Sequence, residues 1–225
     1  MSARGLFVTG TDTGVGKTVV ACALVRAFLA RGERVAVMKP IASGAMRTAD
    51  GLRNEDALSL IEATGRPLRY DLVNPFCFEP AISPHIAADD CKIAINIRTI
   101  LDAFEALAVD CDRLVVEGAG GWLAPVSRGE SMADLARALD VPVVMVVGLR
   151  LGCLNHAQLT RQAVGACGAR FAGWIANRLG PPMEREAENL ATLEERLGEP
   201  PLALVPFCTG SPLILEAAAA QLAHG

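Results

Sequence analysis

Short aliphatic runs alternate with amphipathic stretches along this chain. The runs at residues 6–8, 35–38, 114–116, 143–147, 174–176 and 202–205 carry no apolar–polar alternation. Strands buried on both faces of a parallel sheet read this way. Between them the pattern predicts helices over residues 17–30, 55–63, 97–107, 131–139, 154–166 and 183–197, and a last one over 213–222. Asn54 and Asn96 stand where N-caps belong, and Gly32 and Gly65 follow their helices at the usual left-handed position. The least regular stretch, 66–90, holds Pro67, Pro75, Pro80 and Pro84 and reads as an insertion or lid. Strand–helix alternation predicts an α/β chain: one domain over residues 1–225, with an open, mostly parallel sheet, right-handed crossovers and helices on both faces.

The first strand runs into Gly10-Thr11-Asp12-Thr13-Gly14-Val15-Gly16-Lys17-Thr18, which opens the first helix. A strand before and a helix after are the context a phosphate loop needs, so the fold expected is P-loop NTPase-like. Backbone N–H groups turned inward at a helix N-terminus bind an anion. Lys17 would reach the β- and γ-phosphates, and Thr18 would offer its hydroxyl to Mg²⁺. Gly14, Val15, Gly16, Lys17, Thr18 and Val19 are the expected nucleotide contacts. The spacing departs from the usual pattern: Thr11 sits where the first glycine belongs, and Gly10 comes one residue early. A glycine-rich turn with a chance Gly-Lys-Thr is the bland alternative.

Three further charges fall where such a loop would use them. Glu117 ends the strand 114–116, at the edge that faces the ligand crevice in an open parallel sheet, and Gly118-Ala119-Gly120-Gly121 follows it. It reads as an acidic metal-side residue or as a solvated strand-end Glu beside a turn. Lys39 ends the second strand. It either faces the same crevice, where it can hold an oxyanion, or snorkels to solvent. Asp56, at the start of a helix, either joins the metal or complements the helix dipole.

Together these blocks resemble the dethiobiotin synthetase family. The likeness runs from Phe7-Val8-Thr9-Gly10-Thr11-Asp12-Thr13 through Lys17-Thr18 and Lys39-Pro40-Ile41-Ala42-Ser43-Gly44. It continues through Gly51-Leu52-Arg53-Asn54-Glu55-Asp56-Ala57-Leu58, Asn74-Pro75, Ser83-Pro84-His85 and Val116-Glu117-Gly118-Ala119-Gly120-Gly121-Trp122. The last clear blocks are Val147-Gly148-Leu149-Arg150-Leu151-Gly152-Cys153-Leu154-Asn155-His156-Ala157 and Ala172-Gly173-Trp174-Ile175-Ala176-Asn177. Beyond Asn177 only Val205-Pro206-Phe207 resembles the family, at its late nucleotide-side loop.

The resemblance implies an ATP- and Mg²⁺-dependent reaction of 7,8-diaminononanoate with CO₂ through a carbamate and a carbamoyl-phosphate mixed anhydride. It implies that Thr18, Asp56 and Glu117 surround the metal, and that Thr13, Lys17 and Lys39 form the catalytic set. Gly118, Ala119, Gly120 and Pro206 would lie on the nucleotide side, with Asn177 on the adenine. Ser43 would contact the diamine end. Leu151, Gly152, Cys153, Leu154 and Asn155 would receive the distant carboxylate at a helix N-terminus, across a homodimer interface. Gly14 stands where many relatives carry Glu. The expectation is a looser loop, so that Gly14→Glu would tighten ATP binding.

Composition narrows the field. With 21 Lys and Arg against 25 Asp and Glu among 225 residues, the net charge is −4, which argues against nucleic-acid binding. Hydrophobic residues make up 52%, enough for a large core. No apolar run approaches the roughly 18 residues of a membrane span. The N-terminal segment lacks the apolar core of a signal peptide, and the expected compartment is the cytoplasm. The seven cysteines are odd in number and form no C-x-x-C pair, as suits small core residues in a reducing compartment. His85 and His156 read as structural.

Three rivals share parts of this pattern. Nucleotide-driven switches that position complexes on membranes or DNA usually carry an extra early lysine, whereas positions 11–15 read Thr-Asp-Thr-Gly-Val. An amidotransferase-type synthetase would need a glutaminase domain with a nucleophilic cysteine. A catalytically silent relative would not be expected to keep Lys17, Thr18, Lys39, Asp56 and Glu117 together.

Overall fold

A computed structural model describes residues 4–207. Cys208 and the helix expected over 213–222 lie outside the described residues. In chain order the elements begin with β1 (Arg4–Gly10), α1 (Lys17–Ala30), β2 (Val35–Met38), β3 (Ile41–Ala42), β4 (Met46–Thr48), β5 (Gly51–Arg53) and α2 (Glu55–Ala63). There follow α3 (Tyr70–Val73), β6 (Phe76–Cys77), α4 (Pro84–Asp90), α5 (Ile97–Ala108) and β7 (Arg113–Glu117). The described chain closes with α6 (Met132–Leu139), β8 (Val143–Leu149), α7 (Cys153–Ala166), β9 (Phe171–Arg178), α8 (Glu186–Leu197) and β10 (Ala203–Val205).

Six strands form one sheet in the order β10-β9-β8-β1-β7-β2, with every pairing parallel. All residues of β7 and β8 are buried. Along β8, Val144 and Val146 join the larger core cluster, while Met145 and Val147 join a second one with Trp174, Leu193 and Leu197. Successive side chains point to opposite faces, so both faces of the sheet are covered. That is why the aliphatic runs lack alternation.

The order also creates a crevice. From β1 the chain passes to β2 on one side of the sheet, and from β7 it crosses to β8 on the other. The neighbouring strands β1 and β7 therefore send their chains in opposite directions across the sheet. Ligands bind outside the carboxyl ends of strands at such a point. Gly10 ends β1, Glu117 ends β7 and Lys39 follows β2, all at that edge.

The caps sit where expected. Asn54 Oδ1 accepts from Ala57 N at 3.3 Å, and Asn96 Oδ1 accepts from Arg98 N at 2.8 Å. Gly32 and Gly65 take left-handed φ values of 81° and 65°. Some bounds move. Ser131 is the N-cap of α6 rather than its first residue, α7 begins at Cys153, and α8 begins only at Glu186. The irregular stretch contains α3, β6 and α4, and β6 pairs with β3 in parallel. The antiparallel pair β4–β5 is a surface hairpin whose first strand is wholly exposed. It lacks the apolar pattern of a core strand. Among the described residues no helix is long and apolar enough to cross a membrane.

Candidate active site

The loop between β1 and α1 is shaped by glycine where side chains cannot fit. Gly16, the N-cap of α1, has φ 85°, and a Cβ there would collide with the Asn177 side chain. Asn177 is buried in β9 beneath the loop, and its Nδ2 donates to Val15 O at 2.9 Å. Val15 is itself buried, so the loop is anchored from below by one hydrogen bond and one apolar side chain. Gly14 has φ 73° with open space around it. A Glu there would fit sterically, but an L residue in this conformation costs about 1–2 kcal/mol. The glycine therefore suits the observed turn rather than loosening it. That strain argues against the expectation that Gly14→Glu would tighten ATP binding.

Asp12 organises the same loop. Its Oδ1 accepts from Thr13 N at 2.7 Å, and its Oδ2 accepts from Arg150 Nη2 at 2.6 Å, tying the loop to the segment after β8. Lys17 Nζ donates to Asp12 O at 3.0 Å. Lys17 is buried, and desolvation, aided by the neighbouring Lys39 charge, lowers its pKa from 10.5 to about 8. It waits in the cavity as a cation poorly compensated by the protein, the state an arriving anion would relieve. The Arg150 clamp carried no sequence signal, because the partners lie 138 positions apart.

Four side chains converge above the loop. Lys39 Nζ meets Glu117 Oε1 at 2.5 Å and Asp56 Oδ2 at 2.9 Å. Thr18 Oγ1 donates toward Asp56 Oδ1 at 2.9 Å and Glu117 Oε1 at 3.0 Å. Lys39 is 4% exposed and Glu117 1%. Burial opposes the Lys39 charge, but Glu117 and Asp56 outweigh it, and its pKa is raised. Burial likewise opposes the Asp56 charge, and Lys39 overcomes that, so its pKa is lowered. The snorkelling alternative for Lys39 and the purely dipolar one for Asp56 both give way to this cluster. This cluster holds one cation and two carboxylates, and the formal charges of the cavity cancel only when Lys17 is counted with it.

The donor set fits a hard divalent cation. Glu117 Oε2 is buried and has no hydrogen-bond partner among the described residues. It lies on the carboxylate that already meets Thr18 and Lys39. Mg²⁺ takes one or two carboxylates plus substrate phosphates and keeps waters, rather than needing an all-protein cage. The absence of any cluster of three His, Cys, Asp or Glu side chains among the described residues is therefore compatible with Mg²⁺.

These groups line a cavity of about 840 Å³. Thr13, Gly14, Gly16, Lys17, Thr18 and Val19 form its phosphate-loop wall. Lys39, Ser43, Asp56, Glu117, Ala119 and Gly120 form the opposite side. Ala81, Ile82, Ser83 and Pro84 close one flank, so the proline-rich insertion contributes to the site, as a lid would. Gly118 packs behind, close to the Phe7 ring, and Pro206 follows β10, half-buried. None of Leu151, Gly152, Cys153, Leu154 and Asn155 lines this cavity. Leu151 is 95% exposed, whereas the Cys153 side chain is buried in the second core cluster. Cys153 N donates to Arg150 O at 3.0 Å, which leaves Leu154 and Asn155 as the end of α7 that meets solvent.

Comparison with known proteins bears on the fold and the family. The family model described as "AAA domain" matches residues 4–211. The chain is 50% identical over 201 residues to the ATP-dependent dethiobiotin synthetase BioD of Pseudomonas paraeruginosa, covering 89% of this chain and 88% of that one. It is 44% identical over 222 residues to the enzyme of the same name from Xanthomonas oryzae pv. oryzae, covering 99% of each. Among solved structures, a ParA family ATPase from Chlorobium tepidum superposes with TM-score 0.57 at 16% identity, over 100% of this chain and 96% of that one. The MinC:MinD cell division protein complex of Aquifex aeolicus gives 0.59 at 16% identity, over 99% and 94%. At such identity those two likenesses show the P-loop α/β fold alone. Identity of 44–50% over nearly the whole length goes further: the chain belongs to the family of ATP-dependent dethiobiotin synthetases.

Proposed function

We propose that this enzyme uses ATP to close a cyclic urea on 7,8-diaminononanoate with CO₂, giving dethiobiotin, ADP and phosphate. The observation that carries the reading is the convergence of Lys17, Thr18, Lys39, Asp56 and Glu117 in one cavity that also contains Ser43. A triphosphate alone would not require a second buried lysine opposite the phosphate loop.

One amine of the diamine attacks CO₂, forming a C–N bond and losing a proton. The resulting carbamate anion needs a fixed positive charge. Lys39 is suited to that role as a cation, because its carboxylate neighbours keep it protonated. The carbamate oxygen then attacks the γ-phosphorus, the bond to ADP breaks, and a carbamoyl phosphate forms. Lys17 neutralises charge passing between the two anions. The second amine attacks the carbonyl carbon, phosphate leaves, and the ring closes with loss of another proton. Mg²⁺ would be held by Thr18, Asp56 and Glu117 and would supply charge neutralisation at the phosphates. Thr13 and the stretch Gly118, Ala119 and Gly120 flank the phosphates. Asn177 and Pro206 lie on the side assigned to the adenine, Asn177 with its amide already engaged by the loop.

The distant carboxylate of the substrate meets the α7 N-terminus of a second copy. Support for a homodimer comes from the placement of Leu151–Asn155 outside the cavity built by their own chain. The exposed Leu151 would be covered there. The six described cysteines are all free, which suits the reducing cytoplasm. Cys22, beside the site on α1, is inert, since burial pushes its thiol up to about 12.

The test is phosphate release from Mg-ATP and bicarbonate, with and without the diamine, with the product weighed. Diamine-dependent release and a product equal to diamine plus CO₂ minus water are expected. ATP hydrolysis indifferent to the diamine would sink the substrate assignment.

A further inference from the structure

Three site residues reach one small polar network that does not face the phosphate loop. Asn74, 3% exposed at the end of α3, donates from Nδ2 to Lys39 O at 2.7 Å and to Phe76 O at 3.2 Å. Lys39 N donates to Val73 O at 2.8 Å. The main chain of Lys39 is thus gripped from both sides by α3. The Tyr70 hydroxyl donates to Asn74 Oδ1 at 2.9 Å and accepts from Asn54 N at 2.7 Å. Asn54, 6% exposed, donates from Nδ2 to Ser43 O at 3.3 Å and caps α2, the helix that carries Asp56. The Arg53 guanidinium lies 4.2 Å over the Tyr70 ring and holds it from the outside.

We propose that Tyr70, with Asn74 and Asn54, is a positioning brace that sets Lys39, Ser43 and Asp56 relative to one another. α3 has only four residues, and two of them do this work: Tyr70 through its hydroxyl and Val73 through its carbonyl. The phenol is the hinge of the brace, because one oxygen serves the strand side through Asn74 and the helix side through Asn54. Its burial raises its pKa, so it remains a hydrogen-bond donor. Tyr70 and Asn74 do not line the cavity, so they act through Lys39, Ser43 and Asp56. The phosphate loop is held separately by Asn177, Val15 and the Arg150–Asp12 pair. The site therefore has two halves with separate supports, joined where Thr18 meets Asp56 and Glu117: one for the phosphates, and one for the acceptor that Lys39 and Ser43 face.

The split is testable by Tyr70→Phe, which removes one oxygen and leaves Asn54 N and Asn74 Oδ1 without their shared partner. The inference rests on the ligase reading only for the identity of that acceptor. In the full-length protein, kcat for diamine-dependent phosphate release should fall about ten- to hundred-fold, the scale of a small displacement of a reacting group. The KM for the diamine should rise, while the Kd for ATP in EDTA should stay within about two-fold, as for uncoupled sites. Amide resonances of Lys39, Ser43 and Asp56 should shift together, and those of residues 14–16, which make no contact with Asp56, should not. A folded variant with wild-type kcat and KM overturns the brace, as does a loss of ATP affinity in step with kcat. If Tyr70→Phe does not fold, Asn74→Ser decides: it lies outside the cavity and is too short to reach both Lys39 O and the Tyr70 hydroxyl. An unchanged diamine KM there overturns the brace. If wild-type release ignores the diamine, the ligase reading fails instead. The amide spectrum then judges the brace alone, and unshifted Lys39, Ser43 and Asp56 resonances overturn it.

Discussion

Lys39 and Glu117 are each almost fully buried and are bonded to each other. Removing one charge of such a pair leaves the other uncompensated, at a cost of about 3–5 kcal/mol. Lys39→Met should therefore do two separable things. It should lower stability by that order, and it should cut turnover by at least about a hundred-fold while the Kd for ATP moves little. The double variant Lys39→Met/Glu117→Gln should regain part of the stability, because the buried charge at 117 is gone and only the half-exposed Asp56 is left without its lysine, and none of the activity. Urea unfolding and steady-state kinetics on both proteins check this. Recovered turnover in the double variant would remove Lys39 from the chemistry. Gly14 makes a second case at this scale. With φ 73°, Gly14→Glu should lose about 1–2 kcal/mol, as reduced stability or, where the loop relaxes to escape the strain, as weaker ATP binding. Unfolding with and without ATP measures both, and tighter binding at unchanged stability would contradict it. The charges at these positions were legible in the sequence because each ends a strand or starts a helix at the crevice edge. The brace and the Arg150–Asp12 clamp were not, since hydrogen bonds between distant positions leave no periodic trace.

Elements were legible to the extent that burial is uniform along them. The inner strands of the main sheet are buried on both faces, the edge strand β10 only partly, and their aliphatic runs stand out. The pairs β3–β6 and β4–β5 are two or three residues long, so no pattern can develop over them. Caps were legible where a side chain is the cap, as at Asn54 and Asn96. At α6 the cap involves two residues. Ser131 N and Oγ both donate to Asp134 Oδ2, at 2.8 and 2.7 Å. The Ser131 side chain and then its backbone hold the Asp134 pKa below the ordinary 3.8. A lowered carboxylate pKa contributes stability above its unfolded value and loses it as pH falls through the folded one. Asp134→Ala should cost about 0.3–1 kcal/mol at neutral pH, the worth of an exposed acidic side chain in the first turn of a helix. The gap between variant and wild type should close as pH drops from 3.8 through the lower folded value. Denaturant unfolding across that window tests it, and a gap independent of pH would mean the carboxylate charge is not what caps α6.

At the scale of the whole molecule, the cavity explains only one end of the proposed substrate. Lys39 and Ser43 can hold the amine end, yet the segment assigned to the carboxylate lies outside the cavity, with Leu151 95% exposed beside it. Either that segment serves no substrate, or it serves the cavity of a second copy. A two-fold dimer presents the same patch on both subunits, so each site would combine Lys39 of one chain with the α7 N-terminus of the other. Two inactive variants can then complement. Lys39→Met spoils one side of a site, and Asn155→Asp, which sets a negative charge at the α7 N-terminus, spoils the other. In a hybrid dimer both defects fall on one site, and the second site is wild type. Equal mixing with random exchange makes half of the dimers hybrid, so about a quarter of wild-type activity should return. Mixing the purified variants, exchanging subunits in mild denaturant and assaying diamine-dependent phosphate release measures this directly. If each site belonged to a single chain, every site in the mixture would carry one defect or the other, and no activity would return at any mixing ratio.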